Sequence, residues 1–118
     1  MMTVTLCHTR VIIESPYAGD VARNTRYARA CMLDSIRRGE APYCSHLLYT
    51  QVLNDLDRLE RRLGIEAGLL WGQAAHKTVV YIDFGISDGM WHGIRRADEE
   101  GREIEFRILP HWETLVPE

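Results

Sequence analysis

The sequence predicts an α/β domain built on a small parallel sheet, and two observations carry that reading. Strand-like and helix-like segments alternate along the chain in the order β-α-β-α-β-α-β, and such connections demand parallel pairing with right-handed crossovers. The run Lys77-Thr78-Val79-Val80-Tyr81-Ile82 is almost unbroken in apolar character, as suits a central parallel strand covered on both faces. At 118 residues the chain fits one domain, long enough to bury a core and too short for two.

Taken in order, Val11-Ile12-Ile13 reads as a buried strand that ends in the turn cluster Ser15-Pro16-Tyr17-Ala18-Gly19. Asp20 stands where a helix N-cap belongs. Val21, Thr25, Ala28, Met32 and Ile36 follow at helical spacing, with Arg37 and Arg38 in the last turn and Gly39 as the stop. The stretch from Ala41 to Tyr49 opens as a second short strand, with Pro42 tolerated near its beginning, and continues as loop. From Asn54 or Asp55 a long helix is expected, because Leu56, Leu59, Leu63, Ala67, Leu70 and Ala74 keep steps of three and four. Lys77–Ile82 is the third strand, Gly89–Glu100 a third helix closed by Gly101. Ile104, Phe106 and Ile108 alternate with charged residues as in a half-exposed edge strand. Residues 110–118 read as a tail beyond a core of 11–109.

Composition narrows the function classes. Hydrophobic residues make up 46% and charged residues 26%, so the chain is globular rather than disordered. A formal charge of −3 with acids and bases interspersed leaves no basic stripe for a nucleic-acid backbone. Cys7, Cys31 and Cys44 form no CxxC pair, and the five histidines show no HExxH spacing, so no metal site is expected and a reducing compartment is. Met1-Met2-Thr3-Val4-Thr5-Leu6 lacks the pattern of a signal peptide. The apolar runs fall short of the roughly 20 residues that span a bilayer. No membrane partner and a cytoplasmic location are expected.

In an open parallel sheet, ligands sit outside the carboxyl ends of the strands. Those ends are three polar loops here: Ser15 to Gly19, Tyr43 to Tyr49, and Asp83 to Gly89. Their convergence predicts a pocket lined by Ser15, Pro16, Tyr17 and Gly19, by Ser45 and His46, and by Asp83, Gly85, Ser87, Gly89 and Met90. The loop Gly85-Ile86-Ser87-Asp88-Gly89 feeds a helix N-terminus. There Ser87 either donates to an anion or caps the helix. No GxGxxG and no Walker lysine are present, so no dinucleotide or P-loop cofactor is implied. Gly64, Gly68 and Gly72 each cost roughly 1 kcal/mol in helix propensity. Something must therefore approach that face closely, and the candidates are the sheet, a second subunit or a ligand, with close packing the favoured one. Glu66 lies about 60° from the centre of the apolar stripe. It either reaches a pocket or pairs with Arg62. Asp83, at the end of a buried strand, is the more conspicuous acid.

The runs Val11–Asp20, Gly39–Tyr49 and Asp83–Met90 together resemble a small uncharacterised domain family of bacteriophages and bacteria. That family is similar to the nucleoside 2-deoxyribosyltransferase-like superfamily, whose sheet is flavodoxin-like (Rossmann-like), here about four strands flanked by three helices. The resemblance implies a nucleoside or nucleotide-type ligand, sequestration of a host defence signal by a phage protein in the host cytoplasm as one form of such binding, and a homodimer or higher homo-oligomer. In the transferases and related N-glycosidases a glutamate beyond the third-strand loop attacks the anomeric carbon. The matching position falls near Gly93, and no carboxylate is there. Glu66, in Gly64-Ile65-Glu66-Ala67-Gly68, mimics the Glu-x-Gly motif of the glycosidases from the preceding helix. The leading expectation is therefore a binder without catalysis. The alternatives are a transferase or N-glycosidase-like enzyme using Asp83 or Glu66, and a structural or interaction domain.

Overall fold

A computed structural model describes residues 6–116. Met1–Thr5, most of the segment read for a signal peptide, and the last two residues of the expected tail lie outside the described residues. Four strands, β1 (Thr9–Glu14), β2 (Glu40–Tyr43), β3 (Lys77–Tyr81) and β4 (Glu103–Arg107), form one parallel sheet in the order β2-β1-β3-β4. Helices α1 (Val21–Arg37), α2 (Arg58–Gly72) and α3 (Asp88–Glu99) make the crossovers. The α/β class, the parallel sheet and the edge position of β4 match the sequence reading, and the architecture is compatible with a flavodoxin-like fold.

The two central strands alternate side chains into two cores, as the two-residue period of a strand requires. Val11 and Ile13 of β1 and Val79 and Tyr81 of β3 pack with Tyr27, Ala28, Ala30 and Cys31 of α1. Val80 of β3 packs on the other face with Met90 and Ile94 of α3. Trp112 joins the α1 core from a short 3-10 turn, Trp112–Thr114, stacking edge-on to Tyr27 at 5.5 Å. The stretch read as a tail therefore contributes a buried indole.

Both long helices bury a face rotated from their expected apolar stripe, although Ala28 of the α1 stripe is buried and Met32 packs against the core. Val21 and Ile36 are exposed, whereas Asn24, Tyr27, Cys31 and Ser35 are buried, which turns the inward face of α1 by about 100° from the apolar stripe. Polar partners set this rotation. Asn24 Nδ2 donates to the carbonyls of Tyr17 (3.0 Å) and Ala18 (3.1 Å), Tyr27 Oη donates to Asp83, and Ser35 Oγ donates to Glu40 Oε1 at 2.7 Å.

In α2 the glycines face inward. A Cβ at Gly68 would stand 3.0 Å from Ser45 Cβ, and one at Gly72 would stand 3.2 Å from the Arg102 guanidinium. Close packing within the chain is thus what the glycines serve. Leu59, Leu63 and Leu70 lie about 160° away round the helix and remain 68%, 50% and 66% exposed. The helix also starts later than Asn54 or Asp55. Asn54 Oδ1 is taken by the Leu56 amide (3.0 Å), and Asp57 becomes the cap for Leu59 and Glu60.

The two edge strands are joined by a buried ion pair across the α1 face of the sheet. Arg107 of β4 donates through both terminal nitrogens to Glu40 of β2, at 2.9 and 2.7 Å, and its Nη1 also donates to Tyr81 Oη at 3.1 Å. Lys77 Nζ adds 3.3 Å and 2.9 Å contacts to Glu40 and Glu105. Burial alone would raise the Glu40 carboxyl, but hydrogen bonds from Arg107 and Ser35 and the Arg107 charge hold it down at about 2.

Two outcomes follow from that cluster. Arg107→Met leaves the buried Glu40 carboxylate with Lys77 and the Ser35 hydroxyl as its remaining partners and should cost up to about 3 kcal/mol in urea denaturation, most of it regained in the Glu40→Gln/Arg107→Met pair. Because the folded pKa of Glu40 is depressed from 4.5 to about 2, its contribution is present above the unfolded value and lost as pH falls toward 2. Glu40→Gln should flatten the acid limb of the stability curve between those values. An unchanged acid limb would show that Glu40 carries none of it.

Candidate functional site

Strand order reverses between β1 and β3, since the chain leaves β1 toward β2 on one side and β3 toward β4 on the other. Open α/β sheets place their ligand crevice at such a point. A cleft of about 280 Å³ opens there. The β1–α1 loop gives Tyr17 and Ala18, and the 3-10 turns Ser45–Leu47 and Tyr49–Gln51 with the segment after them give Ser45, His46, Tyr49, Thr50, Leu53 and Asp55. Glu60, Arg61, Gly64 and Ile65 of α2 form one wall, and Ser87, Asp88 and Gly89 at the start of α3 another.

Each wall is held by identifiable bonds. Asn24 fixes the loop that carries Tyr17, and Gly19, at φ +95°, makes the turn into α1. Tyr17 stacks on His46 with ring centroids 5.6 Å apart and planes 18° off parallel. Tyr43 Oη donates to Tyr49 Oη at 2.6 Å. Ser87 caps α3 by accepting from the Met90 amide at 3.4 Å. Its hydroxyl therefore performs the capping role, and it lies at the cleft as well.

The charge in the cleft is mostly negative. Asp55, Glu60 and Asp88 stand against one guanidinium, Arg61, which lies 3.9 Å from Asp55. Burial pushes the His46 imidazole below its ordinary value; Asp55 and the Ser15 backbone oppose the shift and Arg61 reinforces it. His46 is neutral at pH 7.

A narrower recess of about 40 Å³ shares Ser45, His46, Ile65 and Gly89 with the cleft and includes Glu14, His92, Gly93 and Arg102. Glu14 ends β1 on the same parity as Ile12, so it belongs to the α2–α3 side of the sheet. Its carboxyl rests on the bare backbone of α3. A Cβ at Gly93 would stand 2.0 Å from Oε2. The Glu14 carboxyl makes no hydrogen bond among the described residues, and burial, only partly offset by the Arg102 charge, pushes its pKa up to about 8. It is an uncharged carboxylic acid at neutral pH.

The sequence-predicted residues separate into those the cleft gathers and those it does not. Tyr17, Ser45, His46, Ser87 and Gly89 line it. Ser15 and Pro16 are buried beneath the loop, Ser15 Oγ having the Cys44 thiol as a polar neighbour. Met90 is wholly buried under α3, and Gly19 and exposed Gly85 shape turns. Asp83 is structural. It accepts from the Leu109 amide at 2.9 and 2.8 Å and from Tyr27 Oη, and its own amide donates back to that oxygen at 3.1 Å, so it fastens the end of β3 to the segment after β4. Glu66 faces solvent and pairs with Arg62 at 3.0 Å. Sequence reasoning passed over Glu14, Tyr49, Asp55 and Arg61. For Glu14 a signal existed: an acid set directly after an apolar strand, at the edge where ligands sit.

A family model described as a domain of unknown function (DUF7768) matches residues 9–107. The chain belongs to that family. No curated protein matches it.

Two measurements check the Glu14–Gly93 arrangement. Its raised folded pKa means that protonated Glu14 contributes stability fully below the ordinary value of 4.5, lost as pH rises through about 8. Wild type should therefore lose stability over that window, and Glu14→Gln should lose less. Gly93→Ala should cost about 1–3 kcal/mol by overpacking, and Glu14→Ala in the same chain should relieve it. A Gly93→Ala chain as stable as wild type would mean that the carboxyl does not occupy that volume.

Proposed function

We propose that the switch-point cleft binds a nucleoside-type ligand. The observation that carries this reading is the stacked Tyr17–His46 pair, which gives the cleft a planar wall suited to a base. Stacking of a base on an aromatic ring is sequence-tolerant and worth about 1–3 kcal/mol. The carboxylates of Asp55 and Glu60 are acceptors matched to sugar hydroxyls. Three carboxylates against one arginine disfavour a polyphosphate, although the amides at the start of α3 suit a single phosphate. A nucleoside or a monophosphate fits this charge pattern better than a di- or triphosphate.

A second reading has its own observation. Glu14 is an uncharged acid in the recess adjoining the cleft, the state required of a general acid at neutral pH. If the protein cleaves an N-glycosidic bond, Glu14 takes the place that Asp83 and Glu66 were expected to fill. It would protonate the departing base while water adds to the anomeric carbon.

Calorimetry against nucleosides, mononucleotides, triphosphates and ADP-ribose tests the first reading. Nucleosides or monophosphates should bind most tightly, and Tyr17→Ala and His46→Ala should each weaken binding by about tenfold or more. Absence of binding across the panel overturns the proposal. Chromatography of the same mixtures decides the second reading. Free base from wild type but not from Glu14→Gln supports catalysis, and intact ligand throughout leaves the binder.

A further inference from the structure

The leucine face of α2 has no partner within the chain, although it is the strongest apolar pattern in the sequence. Leu59, Leu63 and Leu70 of α2 are 68%, 50% and 66% exposed, and Leu56, in the turn ahead of the helix cap, is 93% exposed. Monomeric proteins seldom expose a contiguous apolar row of this kind on a rigid element. The opposite face is committed to the fold through Gly64, Gly68 and Gly72, so the helix cannot roll to hide its leucines.

The order of residues along the row identifies what covers it. Counting outward from Leu63, apolar residues of α2 stand four positions away on both sides, Leu59 and Ala67. This central part of the row reads the same in both directions. Laid antiparallel on a second copy about a two-fold axis through Leu63, it sets Leu63 against itself and Leu59 against Ala67, and it brings Leu70 to the helix start of the other copy, where the preceding turn carries Leu56. An isologous contact requires this self-complementarity.

The charges beside the row agree. Arg62 and Glu66 form one flank at four-residue spacing, both exposed. A two-fold antiparallel pair brings equal flanks side by side. Glu66 then falls level with position 60 of the other copy, about half a turn from the partner's Arg62. Each acid meets a base, twice over.

We propose that α2 pairs with α2 of a second copy, antiparallel about Leu63, to make a two-fold symmetric dimer. The glycine ridge that first suggested an oligomer is not its surface. The contact lies on the far side of the helix. Because α2 also forms a wall of the cleft through Glu60, Arg61, Gly64 and Ile65, two clefts flank the shared helix pair.

Light scattering and sedimentation of the full chain test this. Wild type should show twice the 13.6 kDa chain mass. Leu63→Glu places two carboxylates on the axis and should yield a monomer with unchanged helicity and melting of the single chain, since Leu63 is half exposed there. Charge reversal supplies an independent check. Glu66→Arg alone should weaken the dimer. Mixed with an Arg62→Glu chain, it should form a heterodimer preferred over either homodimer. In a Cys7→Ser background, Leu63→Cys should form a disulfide with its own counterpart under mild oxidation. A wild type that stays monomeric at hundreds of micromolar overturns the proposal, and so does a dimer that survives Leu63→Glu.

Discussion

The Glu40–Arg107 pair is the constraint from which the architecture follows. A four-stranded sheet has two edges, and in this one each edge strand contributes one half of a buried, doubly hydrogen-bonded ion pair. Neither charge is tolerable alone in that environment, so the outer strands are specified together. The pair also recruits the layer above it. Ser35 of α1 donates to Glu40, and Tyr81 Oη donates to Asp34 of α1 while accepting from Arg107. Helix α1 is thereby oriented by polar contacts more than by its apolar residues. Asn24 on the same helix then fixes the loop that presents Tyr17 to the cleft.

On the other face, the cleft depends on how near α2 comes to the loops at the sheet edge. Gly64 lies against Tyr49 and Leu53, and Gly68 against Ser45. A side chain at Gly68 would press on Ser45, 3.0 Å from its Cβ, and push the helix away from the turn that carries His46. The glycines thus convert helix propensity into proximity. The same choice leaves the leucines outside, so the shape of the site and the exposure of an apolar row have one cause.

The sheet was largely legible in the sequence because its central strands are short apolar runs bounded by turn residues. Asp20 and Ser87 declared their helix starts through simple side-chain chemistry, and both act as caps. The helix faces were only partly legible. The expected α1 stripe places Ala28 and Met32 against the core, but the helix also turns inward Asn24, Tyr27 and Ser35, and α2 turns inward glycine. Asp83 looked available because its partners, Tyr27 and the Leu109 amide, are distant in sequence, and nothing local reveals them. Tyr17, Ser45, His46, Ser87 and Gly89 were found because strand ends converge by topology alone. Glu14 was missed because its significance rests on a contact with Gly93, on an element a sheet's width away in the chain.

That contact means positions 14 and 93 share one volume. A carboxyl on β1 is admitted only because α3 omits a side chain, and a side chain restored to α3 would evict it. A family member with a glutamate at 93 must carry something small at 14. The acidic group would then have moved between strand and helix while staying at the same point in space, a substitution that column-by-column comparison would score as two unrelated losses.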